Sequence, residues 1–302
     1  MAEPSMLLPA DVRERLSKLE LHTRSVVEGM ISGLHKSPYH GFSVEFAQHR
    51  EYTWGDELKH LDWKVFARSD RYYIKQYEEE TNLTALIFLD GSESMLYKAE
   101  NRPGVERTKY EYGALAACAL AFILLRQQDT AGLYLFDHEL IGQVPPSSHP
   151  MTLNSFMETI RGLEPRGESN VGTLFHRLAE DIRRRGVVFF ISDFFFPRED
   201  LSSAVRHLRH KGHEVVMLQV IDPDELDFPF DDNIRFIGYE DMPSRVIEPR
   251  SLREAYLESI MEFRKEVEQI AADTRSDYLL LDTSKPLQHV LAEYLATYRK
   301  RR

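Results

Sequence analysis

The chain has 302 residues, a net charge of −11, 42% hydrophobic and 29% charged residues, and a single cysteine. That length suits one large domain or a domain with an appended module, and the balance excludes a wholly disordered or fibrous chain. The acidic total argues against a general nucleic-acid binder, which needs a basic surface to displace phosphate counter-ions. Cys118 alone can form neither an internal disulfide nor a cysteine-rich zinc site, which points to a reducing compartment. The first residues, MAEPSMLLPADVRERL, lack a cationic region followed by an apolar core, so no secretory signal is expected. The longest apolar stretch, Gly113 to Leu125, falls short of the roughly 18 residues needed to span a bilayer. The expectation is a cytoplasmic protein with no membrane span and no nucleic-acid partner.

From Pro9 to about Leu34, Leu16, Leu19, Val26, Val27, Met30 and Ile31 recur at helical spacing. Between His35 and Glu80 the texture turns to short aromatic and charged pieces, with strand-like alternation in YYIKQY. Residues 1–81 are therefore read as an N-terminal module of helix and strand, and 82–302 as the main domain. From Asn82 onward, short apolar runs alternate with helical stretches. Strands are expected at TALIFLD, GLYLFD, LIGQV, VVFFISDF, EVVMLQVID and DYLLLD. Helices are expected near Glu106–Gln128, Met151–Leu163, Thr173–Arg185, Asp200–Lys211, Ser251–Thr274 and from Pro286. This alternation predicts an α/β fold: a mostly parallel sheet with helices on both faces. The tight connection from GLYLFD through Asp137, His138 and Glu139 into LIGQV permits only a hairpin, so one edge strand is antiparallel.

TALIFLD ends in Asp90-Gly91-Ser92-Glu93-Ser94, a DxSxS sequence at the carboxyl end of a buried parallel strand, where open α/β sheets bind ligands. Gly91 permits a sharp exit from the strand. Asp193 ends a second apolar strand, and Thr173 stands in a loop before a helix. Asp90, Ser92, Ser94, Thr173 and Asp193 together offer hard oxygen donors, suited to Mg2+ (with Mn2+ or Ca2+ as substitutes) and unsuited to zinc or copper. The bland alternative is that Asp and Ser after a strand are ordinary turn formers.

These residues resemble the metal-ion-dependent adhesion site of von Willebrand factor A-type domains. DGSES matches its DxSxS element, Thr173 its isolated threonine and Asp193 its later aspartate. The resemblance implies a von Willebrand factor A-like fold and direct or water-mediated metal coordination. The stretch GFSVEFAQHREYTWGDELKHLDWKVFAR is in turn similar to the signature of the bacterial domain-of-unknown-function fifty-eight family. The match runs through Gly41, Glu45, Phe46, Arg50, Tyr52, Gly55, Asp56, Asp62, Trp63, Lys64, Ala67 and Arg68. IDPDELDFP matches a further element through Asp222, Pro223 and Glu225. Lys59 departs from the family's usual arginine, keeping the cation and losing its bidentate fork. That family implies an adaptor working with a MoxR-type AAA+ ATPase.

The leading expectation is a metal-dependent protein-interaction module, not an enzyme. Its metal accepts a carboxylate from the ATPase or another protein client. The alternative is a metal-dependent hydrolase of phosphate esters. Ser92 stands where such an enzyme would want a second carboxylate, and no lysine is expected beside the metal. Removing Asp90 should leave the fold intact or slightly firmer, since it relieves repulsion from Asp193. Trp63 is read as buried at the join between module and sheet. His207, His210 and His213 are set aside as a helix end closed by Gly212, Cys118 as core, and DPDELDFPFDD as a solvated loop.

Overall fold

The computed structural model describes residues 83–100, 102–163, 165–167, 172, 174, 180, 182, 185–231, 234–236 and 245–301, with 23, 26, 27, 49–51, 66 and 72–75 before them. Thr173, Trp63 and most of the Arg50–Arg68 segment lie outside the described residues. The chain forms two compact units, 1–36 with 83–302, and 37–82. In the smaller unit, β1 (His49–Glu51) pairs antiparallel with β2 (Tyr73–Lys75), and Phe66 stacks on Tyr72 at 4.5 Å. In the larger unit, Val26 and Val27 belong to the core on one sheet face, so compactness groups residues 1–36 with the sheet, whereas a boundary at residue 81 assigns them to the module.

The large unit is built on six strands: β3 (Thr84–Asp90), β4 (Thr130–Phe136), β5 (Leu140–Ser147), β6 (Val187–Ser192), β7 (Glu214–Ile221) and β10 (Asp277–Asp282). Their order across the sheet is β10-β7-β6-β3-β4-β5, parallel throughout except the β4–β5 pair. The backward edge strand follows from the short Asp137–Glu139 connection, as the sequence leads one to expect. A separate antiparallel pair, β8 (Ile234–Phe236) with β9 (Arg245–Ile247), was not legible in the sequence.

Strand β3 shows why the apolar runs are continuous. Ala85, Ile87 and Leu89 point into one core, Leu86 and Phe88 into a second on the opposite face, and all five are fully buried. A strand covered on both faces has no position left for a polar residue until its end. Helix α1 (Lys109–Arg126), α2 (Thr152–Arg161) and α6 (Leu287–Arg301) cover the first face through residues such as Ala117, Cys118, Phe156 and Leu291. Helix α3 (Arg198–His210) and α5 (Pro249–Asp273) cover the second through Leu201, Val205, Val267 and Ala271. Each large apolar side chain so buried stabilises by about 1.5–3 kcal/mol. Cys118 is core as expected, and burial pushes its thiol up to about 12.

Helix α3 ends at His210 with Lys211 as its C-cap, and Gly212 follows at φ +89°, a left-handed position that glycine adopts without penalty. The next residue, His213, is buried, and burial lowers its pKa from the ordinary 6.5 against the opposing effect of a hydrogen bond with the Gly186 backbone. A depressed folded pKa means a stabilising contribution present above pH about 6.5 and lost as pH falls through the folded value. Thermal unfolding followed from pH 7.5 to pH 5 should show a decline that flattens in His213→Leu. An identical slope in the variant would assign the decline to other groups.

Candidate metal centre

The carboxyl ends of β3 and β6 lie side by side, with Leu89 opposite Ile191, so Asp90 and Asp193 leave the sheet at one edge. The chain exits β3 through Gly91, whose N–H bonds the Phe136 carbonyl at 2.7 Å. A Cβ there would stand 2.8 Å from Leu163 Cδ2 and 3.0 Å from Ile141 Cδ1, so a larger residue would require those side-chain ends to shift. Ser92 then precedes a single 3-10 turn, Glu93–Leu96, which carries Ser94 back beside it.

Asp90 is fully buried and accepts hydrogen bonds from the Ser92 N–H at 2.9 Å and from the Ser192 hydroxyl at 2.6 Å. The Ser192 oxygen also accepts the Phe194 N–H at 2.8 Å, tying the exits of β3 and β6 into one network. Phe194 holds φ +63°, a costly conformation for a bulky residue, with its ring buried edge-on to Phe190 at 5.0 Å. Ser92 Oγ and Ser94 Oγ are 3.1 Å apart. The two hydroxyls are hydrogen-bonded to each other, and adjacent oxygens around an octahedral magnesium at about 2.1 Å sit about 3.0 Å apart, so the pair can serve a metal with little movement. The donor set therefore fits a hard divalent cation. Among the described residues, no cluster of three or more His, Cys, Asp and Glu side chains is arranged to hold a metal, and the histidines of α3 form no such group.

Asp193 already carries a partner on each carboxylate oxygen. Its Oδ2 accepts a 2.8 Å hydrogen bond from Lys109 Nζ, its Oδ1 the Phe195 N–H at 3.2 Å, and its backbone carbonyl accepts from Gln219 Nε2 at 3.1 Å. Lys109 is the first residue of α1, whose start is closed by a capping box between Thr108 and Glu111. Its side chain is 1% exposed and donates a second bond of 2.7 Å to Glu225 Oε1. Burial opposes its charge, but Asp193 and Glu225 outweigh burial and hold the ammonium above the usual lysine range. A lysine is thus fixed beside the proposed metal position, contrary to the sequence expectation.

Glu225 comes from the Asp-Pro-x-Glu element. That stretch is a short helix, α4 (Pro223–Asp227), and the expected solvated loop is not found over these residues. Asp222 and Asp224 are buried. Asp222 takes hydrogen bonds from the Ala99 N–H at 3.1 Å and the Thr283 hydroxyl at 3.2 Å, while Glu225 Oε2 accepts the Asp222 N–H at 2.9 Å. Arg102 pairs with Asp224 at 3.1 Å and with Asp227. Burial raises the Glu225 pKa, Lys109 lowers it, and Asp193 raises it again, leaving it above the ordinary carboxylate value. Of the five residues expected to hold metal, Asp90, Ser92, Ser94 and Asp193 share one sheet edge, and Thr173 lies outside the described residues between helical Gly172 and Leu174. Ser192, Lys109 and Gln219 were missed. Only Ser192, inside the SDF motif, stood close enough in sequence to be suspected.

Among known proteins, an uncharacterized protein of Mycobacterium tuberculosis strain H37Rv, Rv1480, is 23% identical over 314 residues, covering 99% of this chain and 95% of that protein. Two solved structures are similar to this chain at a low level. BatB from Bacteroides thetaiotaomicron has 19% identity, a TM-score of 0.46 and coverage of 72% of this chain and 98% of that one. The SpRpn10 VWA domain has 13% identity, a TM-score of 0.37 and coverage of 69% and 94%. The strand order and covering helices described above make this a von Willebrand factor A-like α/β fold. The model of the protein of unknown function DUF58 family matches residues 48–266, and the chain belongs to that family.

Proposed function

We propose that the chain is a magnesium-dependent protein-interaction adaptor in which Asp90, Ser92, Ser94, Thr173 and Asp193 hold the ion and a partner's acidic side chain completes its shell. The observation that carries this reading is the Ser92–Ser94 hydroxyl pair at 3.1 Å beside two buried carboxylates. The ion, when bound, supplies a positive charge for the incoming carboxylate. The chain's own residues orient the hydroxyls, the 3-10 turn setting Ser94 beside Ser92. Leu96 and Phe195, beside the donors, are exposed apolar side chains of the kind found at the core of a protein-binding patch. The partner in this reading is a MoxR-type AAA+ ATPase in the cytoplasm, with other protein clients engaged the same way. No helix among the described residues is long and apolar enough to cross a membrane.

Phosphate-ester hydrolysis is the weaker reading. Lys109 supplies the cation such an enzyme needs, yet it is buried with two carboxylates already on it, and Ser92 gives no second acid. A pull-down of a MoxR-type ATPase with Mg2+, repeated with chelator and with Ser92→Ala/Ser94→Ala, tests the proposal. Capture should require the metal and fall at least about tenfold in the double variant, as loss of two ligand bonds demands. Capture indifferent to both, or turnover of phosphate esters, would replace it.

A further inference from the structure

Helices α3 and α5, which cover the second face of the sheet, are tied together at two points. Arg198 at the start of α3 pairs with Glu266, and Arg209 near its end donates to the Thr274 carbonyl at 3.1 Å, so the two helices run side by side in the same sense. A groove of about 710 Å³ opens between them. That volume lies within the roughly 300–1,000 Å³ of small-molecule sites. Ile270, packed against the core beneath, gives the groove an apolar lining residue.

The α3 wall is polar. Ser202 and Arg206 stand four residues apart, as do Ser203 and His207, so two hydroxyls, a guanidinium and an imidazole share one stretch of the groove. Arg198 and Glu266 neutralise each other, which leaves Glu199 as the other acid among the described lining residues. Arg206 is exposed and has no carboxylate partner among the described residues. Although the protein carries a net charge of −11, no Asp or Glu occurs between Leu201 and His213. The helix dipole favours cations in the last turn, which accounts for His207, Arg209 and His210. It does not account for Arg206, which precedes that turn.

We propose that the groove between α3 and α5 is an oxyanion site that takes a phosphate group, free or as the monoester of a small organic molecule, with Arg206 supplying the charge and Ser202, Ser203 and His207 the neutral donors. A guanidinium matches two phosphate oxygens with its planar fork. Four donor groups exceed the two oxygens of a carboxylate and suit the three terminal oxygens of a phosphate monoester. Ile270 offers the organic part an apolar contact. This site is separate from the strand ends and does not depend on the metal-centred reading.

The test is titration calorimetry of the full chain with AMP and with inorganic phosphate, at low salt to limit screening and with chelator so that no metal at the strand ends can hold a phosphate. AMP should bind with a Kd below about 1 mM. Arg206→Ala should weaken it at least about tenfold, as loss of a charge-assisted contact implies, and Arg206→Lys should fall between the two. Because Arg206 is exposed, both variants should melt with wild type, which separates lost binding from lost fold. Arg126→Ala, an exposed cation on α1 across the sheet, should bind as wild type does. Tighter binding of AMP than of phosphate assigns the groove to a monoester, and equal binding assigns it to free phosphate. No binding of either at millimolar concentration, binding that survives Arg206→Ala, or equal losses in Arg206→Ala and Arg126→Ala would overturn the inference.

Discussion

Asp90→Asn should abolish divalent-cation binding, a loss of at least about 100-fold, while the protein remains folded; Asp90→Ala should lose binding and stability together. Asp90 accepts the Ser92 N–H and the Ser192 hydroxyl from a fully buried position. Asparagine keeps an acceptor for the first and can donate to a rotated Ser192 hydroxyl, so the network survives with one charge fewer. Alanine leaves both partners unsatisfied, at about 1–3 kcal/mol for each buried group. This outcome differs from the expectation that removing Asp90 leaves the fold intact or firmer. That expectation assumed two carboxylates repelling each other, whereas Lys109 already neutralises Asp193. Calorimetric titration with Mg2+ and thermal unfolding, run on both variants, check the two halves separately. An alanine variant as stable as wild type would contradict the hydrogen-bond account.

Lys109→Met should cost more stability than any other single change at the site. Breaking a buried ion pair by removing one partner costs about 3–5 kcal/mol, because the remaining charge stays buried without compensation. Here two carboxylates are stranded, Asp193 at 1% and Glu225 at 14% side-chain exposure. In a domain of this size about 2–4 °C of melting temperature accompanies each kcal/mol, so a fall of roughly 10 °C is expected. Adding Glu225→Gln should recover part of it. The pH dependence has a definite sign. Because the folded pKa of Lys109 lies above its ordinary 10.5, its stabilisation is fully present below that value and lost as pH rises through the folded one. Unfolding of wild type should therefore be insensitive to Lys109 between pH 7 and 9 and steepen in alkali. A Lys109→Met protein that melts with wild type would show that the carboxylates find other partners.

The sheet was legible because its strands are buried on both faces, which writes TALIFL and VVFFI as unbroken apolar runs. The antiparallel edge was legible because three residues cannot carry a parallel crossover. Asp90, Ser92, Ser94 and Asp193 were legible because oxygen-bearing residues stood where such runs stop. The second half of the site was not. Lys109 opens an apolar helix as any solvated lysine would, and its partners stand 84 and 116 residues farther on. Glu225 sits in an acidic stretch whose composition reads as solvent-facing. The capping box from Asp222 to Glu225 is local, but the Asp222 contacts to Ala99 and Thr283 and the Lys109 bond that turn the stretch inward are long-range. Ser192 was hidden in plain view, since a serine at the end of a strand reads as a turn former until the neighbouring strand's carboxylate is placed against it.

The account stands or falls on whether Ser92 and Ser94 are metal ligands. A crystal of the full chain grown or soaked with Mn2+, with anomalous data collected near the manganese edge, tests this directly. The account predicts one anomalous peak bonded to both hydroxyl oxygens at the shared edge of β3 and β6, lost in Asp90→Asn. Saturating Mn2+ with no peak there, or a peak bound elsewhere that survives Asp90→Asn, would contradict it.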